Sequence, residues 1–218
     1  MFLHTTKKEG QFEAFGCSLD GRNELIVSFV GMKICNDGIV VITDSKASRE
    51  KNHQFYEDVK RGRIQKVFKN SNFILITHGY NEIQKDGNII YIEDWINEHI
   101  GCLTYEEFLI KFCNENQQDK KEFHFIVGYK ENNQYCVSPA TVQEDKYIIN
   151  HKRTDKLFYF GGDNKYINMF SQMNLTSLED VQSNKEDLGT LLTEMIHIFD
   201  HYDDYNSVGL PVQIEIFQ

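Results

Sequence analysis

The stretch that decides the fold is Ser28 to Asp44, SFVGMKICNDGIVVITD. Two apolar runs, Leu25-Ile-Val-Ser-Phe-Val and Ile39-Val-Val-Ile, flank the polar tip Asn36-Asp37-Gly38. Asp-Gly between β-branched runs is a strong hairpin signal, because glycine supplies the positive φ that such a turn asks for. The second run is apolar throughout, which predicts a strand buried on both faces. It ends in a carboxylate, Asp44. A buried strand that delivers an acid at its end marks either a site or a cap on the next turn.

Working outward, residues 45–62 are polar and charged and predict an exposed loop with a short helix. Residues 64–69 and 72–77 predict a second hairpin around Asn70-Ser71, closed by His78-Gly79. Helical spacing follows in Ile89, Ile92, Trp95, Ile96 and Ile100, and again in Tyr105, Phe108, Leu109 and Phe112. Thr104 with Glu107 three positions on is a capping-box pattern for the second helix. Strands are predicted over 123–129, 135–138, 146–149 and 157–160, ending at Gly161-Gly162-Asp163. Helices are predicted over 164–171 and 185–201, the latter with Leu188, Leu191, Leu192, Met195, Ile196 and Phe199 on one broad face. Pro211 opens a last strand, 212–217. Upstream, residues 1–24 read as an extension with at most a short strand near 12–17. Strands segregated from helices predict an α+β chain, and two stacked sheets covered by helices on both outer faces satisfy the layer rules.

A chain of 218 residues has ample length for a buried core, and 40% apolar residues is ordinary for a globular domain. The net charge of −10 argues against a nucleic-acid partner and against an anionic membrane surface. No apolar run is long enough to span a bilayer. Five cysteines without a C-x-x-C pair, and a start without a secretory apolar region, predict reduced thiols and a cytoplasmic location.

Five separated segments carry a resemblance to a family. They are Val30-Gly31-Met32-Lys33 with Asp37-Gly38 through Thr43-Asp44-Ser45-Lys46-Ala47; Lys66-Val67-Phe68 with Ile74 through His78-Gly79; Phe125 through Tyr129; Phe158-Tyr159-Phe160-Gly161-Gly162; and Asp204-Tyr205-Asn206-Ser207 with Val212 through Ile216. In order and spacing they resemble proteasome β-type subunits and their bacterial proteasome-like relatives, within the N-terminal nucleophile (Ntn) hydrolases. The resemblance implies a four-layer αββα sandwich over residues 28–218, with residues 1–27 as a propeptide-like extension. It also implies amide-bond hydrolysis of a peptide or small amide without a cofactor, and a homo-oligomer, of which a ring is one form.

Members of that family use the first residue of the processed chain as nucleophile and its own α-amine as base, beside a lysine and an acid. On this resemblance Asp44 is the acid, Lys66 the lysine, Gly79 the oxyanion glycine, and Asp204 with Ser207 the supporting pair. Counting back from Asp44 puts Ser28 at the nucleophile position, where the family has threonine; anchoring on Val30-Gly31 puts Val27 there. Gly162 stands where the family has a serine near the amine. Cys17, after Gly16, is a rival nucleophile of the cysteine type. Two functions are therefore expected: a hydrolase cut before Ser28, or an inactive subunit of the same fold that keeps its extension and serves in assembly or partner binding.

Elsewhere, His197 and His201 share one helical face with Asp200, Asp203 and Asp204 nearby, a spacing that suits a divalent metal but equally a helix C-terminus. No metal is expected there, since the Glu of H-E-x-x-H is Ile198. His78 and His99 are isolated. No phosphate-binding glycine motif occurs, so no nucleotide is expected.

Overall fold

The computed structural model describes residues 12–15, 28–51, 54–58, 61–117, 121–156, 158–173, 175 and 180–218. Its strands and helices, in order, are β1 (Phe12–Phe15), β2 (Phe29–Ile34), β3 (Ile39–Thr43), β4 (Ser48–Lys51), β5 (Gln54–Glu57), β6 (Val67–Lys69), β7 (Phe73–Gly79), β8 (Glu82–Lys85), β9 (Asn88–Tyr91), α1 (Ile92–His99), α2 (Tyr105–Glu115), β10 (Glu122–Glu131), β11 (Gln134–Gln143), β12 (Lys146–Ile149), β13 (Phe158–Gly162), α3 (Asn164–Gln172), α4 (Val181–Tyr202) and β14 (Gln213–Phe217). One five-stranded sheet has the order β1-β13-β2-β3-β14, and a second has the order β12-β11-β10-β7-β6. The first sheet is antiparallel except at its edge, where β1 runs parallel to β13.

The β2–β3 hairpin forms as its sequence predicts, with Ile34 opposite Ile39 and the Cys35 N–H donating to the Gly38 carbonyl at 2.8 Å. The reason for Gly38 differs from the expected one. It has no positive φ; instead a Cβ there would stand 2.6 Å from the Phe217 carbonyl oxygen. Glycine is needed because β14 closes over the turn. β3 is buried on both faces: Val40 and Ile42 join a cluster with Phe29, Phe158, Phe160 and residues of α3 and α4. Val41 and Ile39 join Val30, Met32, Ile74, Ile76 and Ile126 in a cluster between the sheets. A third cluster packs Phe73, Leu75, Phe123 and Phe125 of the second sheet against Trp95, Phe108 and Phe112 of α1 and α2. The two sheets are also tied at the surface, where Lys69 of β6 meets Glu215 of β14 at 2.5 Å.

Several elements differ from expectation. The loop expected over 45–62 holds an antiparallel pair, β4 with β5, and no helix among its described residues. Ile89 and Ile90 belong to the β8–β9 hairpin, and α1 begins only at Ile92. Apolar spacing could not separate these, because a β-branched pair suits a strand as well as a helix. β11 runs on through Pro139 to Gln143. Val137 exchanges bonds with Arg153 on its outer side, and Pro139, two residues on, turns the same way. Its missing N–H therefore faces the outer edge just past β12, where its carbonyl still accepts the Asn150 N–H at 2.8 Å. The capping box of α2 is present, with Thr104 Oγ1 accepting from the Glu107 N–H and Glu107 accepting from the Thr104 N–H. α4 starts at Val181, a turn earlier than its apolar pattern, because the Asp180 carboxylate caps it at the Ser183 N–H.

Candidate functional site

Ser28 stands immediately before β2 and Asp44 immediately after β3, so the hairpin brings both to one end of the first sheet. Asp44 is fully buried. Its Oδ1 accepts the Phe29 N–H at 2.9 Å and its Oδ2 accepts the Lys46 N–H at 2.9 Å and the Gly209 N–H at 3.4 Å. Three main-chain donors and one cation thus surround a single carboxylate, an arrangement that fixes its orientation.

The cation is Lys66, on the segment leading into β6. Its Nζ donates to Asp44 Oδ1 at 2.7 Å and to Ser28 Oγ at 2.9 Å. Its backbone is pinned from two sides: the N–H donates to Gln213 Oε1 at 3.0 Å, and the carbonyl accepts the Thr77 N–H at 3.2 Å. Burial draws the Lys66 ammonium below its ordinary range, and the Asp44 carboxylate pulls it back. A lysine in this setting can polarise the Ser28 hydroxyl as a cation or take part in moving its proton.

Of the residues nominated from sequence, Ser28, Asp44 and Lys66 come together as one buried chain of hydrogen bonds. Gly79 ends β7 with φ of +89°, a value that glycine adopts without strain. Ser207 is buried and its hydroxyl donates to the Asp163 carboxylate. Asp204 is exposed, on the loop after α4. Val27, Cys17 and Gly16 lie outside the described residues. His197 and His201 are both exposed, and among the described residues no three His, Cys, Asp or Glu side chains gather as a metal site.

The sequence reading missed four participants. Asp163 donates its N–H to the Ser28 carbonyl at 2.6 Å, caps α3 by accepting the Lys165 N–H at 2.9 Å, and receives the Ser207 hydroxyl. Its position just before a predicted helix was a cap signal, but nothing in sequence tied it to Ser28. Lys46 donates to the Asn206 carbonyl at 2.7 Å and lies over the Tyr205 ring, fastening the 205–209 loop beside Asp44. Asn206 is buried and its Oδ1 accepts the Tyr166 hydroxyl at 3.0 Å. His78 is buried with its ring against Gly161 and stacked on His124, the centroids 5.2 Å apart. Burial, then His124 and Lys66 as positive neighbours, push its imidazole down to about 3, so it is neutral.

No model of a protein family matches the chain, and no curated protein does. Solved structures do. The Anbu (Gly-1) mutant from Hyphomicrobium sp. strain MC1 is similar with a TM-score of 0.52 and 13% identity, over 88% of this chain and 82% of that one. Anbu (ancestral beta-subunit) from Yersinia bercovieri is similar with a TM-score of 0.48 and 10% identity, over 87% of this chain and 81% of that one. The first likeness, at 13% identity, shows a shared fold and nothing finer.

Proposed function

We propose that this protein is an amide-bond hydrolase of the Ntn type, in which a cut between Val27 and Ser28 makes Ser28 the first residue. The observation that carries the reading is the Lys66 Nζ, 2.9 Å from Ser28 Oγ and 2.7 Å from Asp44 Oδ1, with all three side chains buried. In the cut itself Ser28 Oγ bonds to the Val27 carbonyl carbon, the Val27–Ser28 C–N bond breaks, and the hydroxyl proton passes to the Ser28 nitrogen. Water then splits the ester to free the Val27 carboxylate and the Ser28 hydroxyl. In turnover the new α-amine takes the hydroxyl proton and returns it to the leaving nitrogen. Lys66 stabilises the developing charge on Oγ, and the Gly79 N–H serves the oxyanion. Under this reading residues 1–27 are a propeptide, residues 28–218 form an αββα domain, and the substrate is a peptide or small amide. Oligomerisation, ring-shaped or otherwise, and a cytoplasmic site of action complete it; among the described helices none is long and apolar enough to cross a membrane.

A second reading has its own support. β1 pairs with β13 over four positions, Phe12 with Phe158 through Phe15 with Gly161, so part of the extension is a sheet strand. That pairing favours a retained extension and an inactive subunit whose ion pair survives because removing one partner is costly. Intact mass of the purified protein separates the two. A chain that starts at Ser28 and hydrolyses peptidyl amides, both lost in Ser28→Ala, supports the hydrolase. An uncut chain overturns it. Light scattering tests the oligomer, and a strict monomer counts against ring assembly.

A further inference from the structure

The geometry points to Asp163 as the residue that positions the Ser28 α-amine, with the Ser207 hydroxyl holding its carboxylate in place. This rests on the reading above, in which Ser28 becomes the first residue.

The argument begins with Gly162. Its φ is +106°, and a Cβ on it would stand 1.9 Å from the Ser28 carbonyl oxygen and 2.7 Å from the carbonyl carbon. No side chain can exist at 162, so no hydroxyl or carboxylate can reach the amine from there. The next residue, the cap of α3, is the first beyond this strand that can present one. Gly162 is paired with Phe29, and the Asp163 N–H donates to the Ser28 carbonyl at 2.6 Å, so Asp163 lies across from Ser28. Residues opposed through such a bond have Cα atoms about 5.5 Å apart, within reach of a short carboxylate.

The Asp163 carboxylate has capacity left. Oδ1 accepts the Lys165 N–H and Oδ2 accepts the Ser207 hydroxyl, and an ionised carboxylate offers about four acceptor sites. Lys165 does not compete, because its ammonium is paired with Asp203. Asp204, three residues before Ser207, is exposed and does not share this arrangement. The charged groups around the amine are then Asp44 from the end of β3, Lys66 from the segment leading into β6 and Asp163 from the start of α3, with His78 of β7 as a neutral ring. Lys66 makes the amine easier to deprotonate and the two carboxylates make it harder.

The test uses Asp163→Asn, which keeps the helix cap and an acceptor for Ser207 but removes the charge. Competitive acetylation of the N-terminus against pH, read by mass spectrometry, gives the pKa of the Ser28 amine without any substrate. The expected result is a fall of about one unit in Asp163→Asn, with Asp204→Asn unchanged. An amine that titrates alike in wild type and Asp163→Asn overturns the inference and leaves the Ntn reading standing. A wild-type chain without a Ser28 amine overturns both. Where Asp163→Asn stays uncut, Ser207→Ala decides: freeing the carboxylate raises the amine pKa, and an unchanged value overturns the inference.

Discussion

The Cβ that Gly162 lacks would sit 1.9 Å from the carbonyl oxygen of Ser28. Both atoms in that clash would be close to rigid backbone, and φ at Gly162 is +106°. Gly162→Ala is therefore expected to destabilise by about 3 kcal/mol or more, from conformational strain and displacement of Ser28 together. Gly62→Ala is the control. Gly62 also has positive φ, at +64°, but opens on empty space, and its cost is about 1 kcal/mol. Urea unfolding of the two variants checks the difference.

The Asp44–Lys66 pair is asymmetric. Lys66→Met leaves Asp44 with its three main-chain donors, the N–H groups of Phe29, Lys46 and Gly209. Asp44→Ala leaves those donors without their carboxylate, and a buried ammonium with the Ser28 hydroxyl but no counter-charge. We expect Asp44→Ala to cost about 3–5 kcal/mol and Lys66→Met clearly less. Equal losses in chemical denaturation would show that the backbone donors contribute little.

His78 makes stability depend on pH. Its folded-state value is pushed down to about 3, below the ordinary 6.5 of an imidazole, so between those values the unfolded chain binds a proton that the folded chain does not. Stability from this group is complete above about pH 6.5 and falls as pH drops towards 3. At pH 5 the loss relative to pH 7 is about 2 kcal/mol. In His78→Leu the urea midpoint should change less between pH 7 and pH 5 than in wild type.

Thiol reactivity should follow burial. Burial raises the Cys35 thiol to about 11, and Cys113 and Cys136 are raised by the same cause, whereas Cys102 is exposed. Under native conditions at pH 8, iodoacetamide should modify Cys102 well before these three, and peptide mapping reads the order. Fast labelling of Cys35 would contradict its enclosure between β2 and α4.

Local chemistry made some of this legible in advance. The β2–β3 hairpin, the Thr104–Glu107 cap and the apolar face of α4 each depend on residues a few positions apart. The meeting of Asp44 with Lys66 could be expected only through family resemblance, since 22 positions separate them. Asp163 and Ser207 are 44 positions apart, and their contact depends on how α3 and the 205–209 loop pack. Nothing at either position announces the other. Asp204 drew attention because it fits a linear pattern, but the loop turns it to solvent. Gly38 is required by a neighbour that local pattern does not reveal, the Phe217 carbonyl of β14, and not by the positive φ that an Asp-Gly turn suggests.

The enclosure of the Asp44–Lys66 pair also decides what the solvent can alter. Its side chains are 0% and 2% exposed, whereas those of Lys69 and Glu215 are 47% and 44% exposed. At 1 M salt the Debye length is about 3 Å, short enough to cancel the surface pair but without ions to act inside the buried one. Ionic strength will loosen the tie between β6 and β14 at the rim while the field at the Ser28 hydroxyl stays constant. The electrostatics of this site belong to the fold and not to the medium.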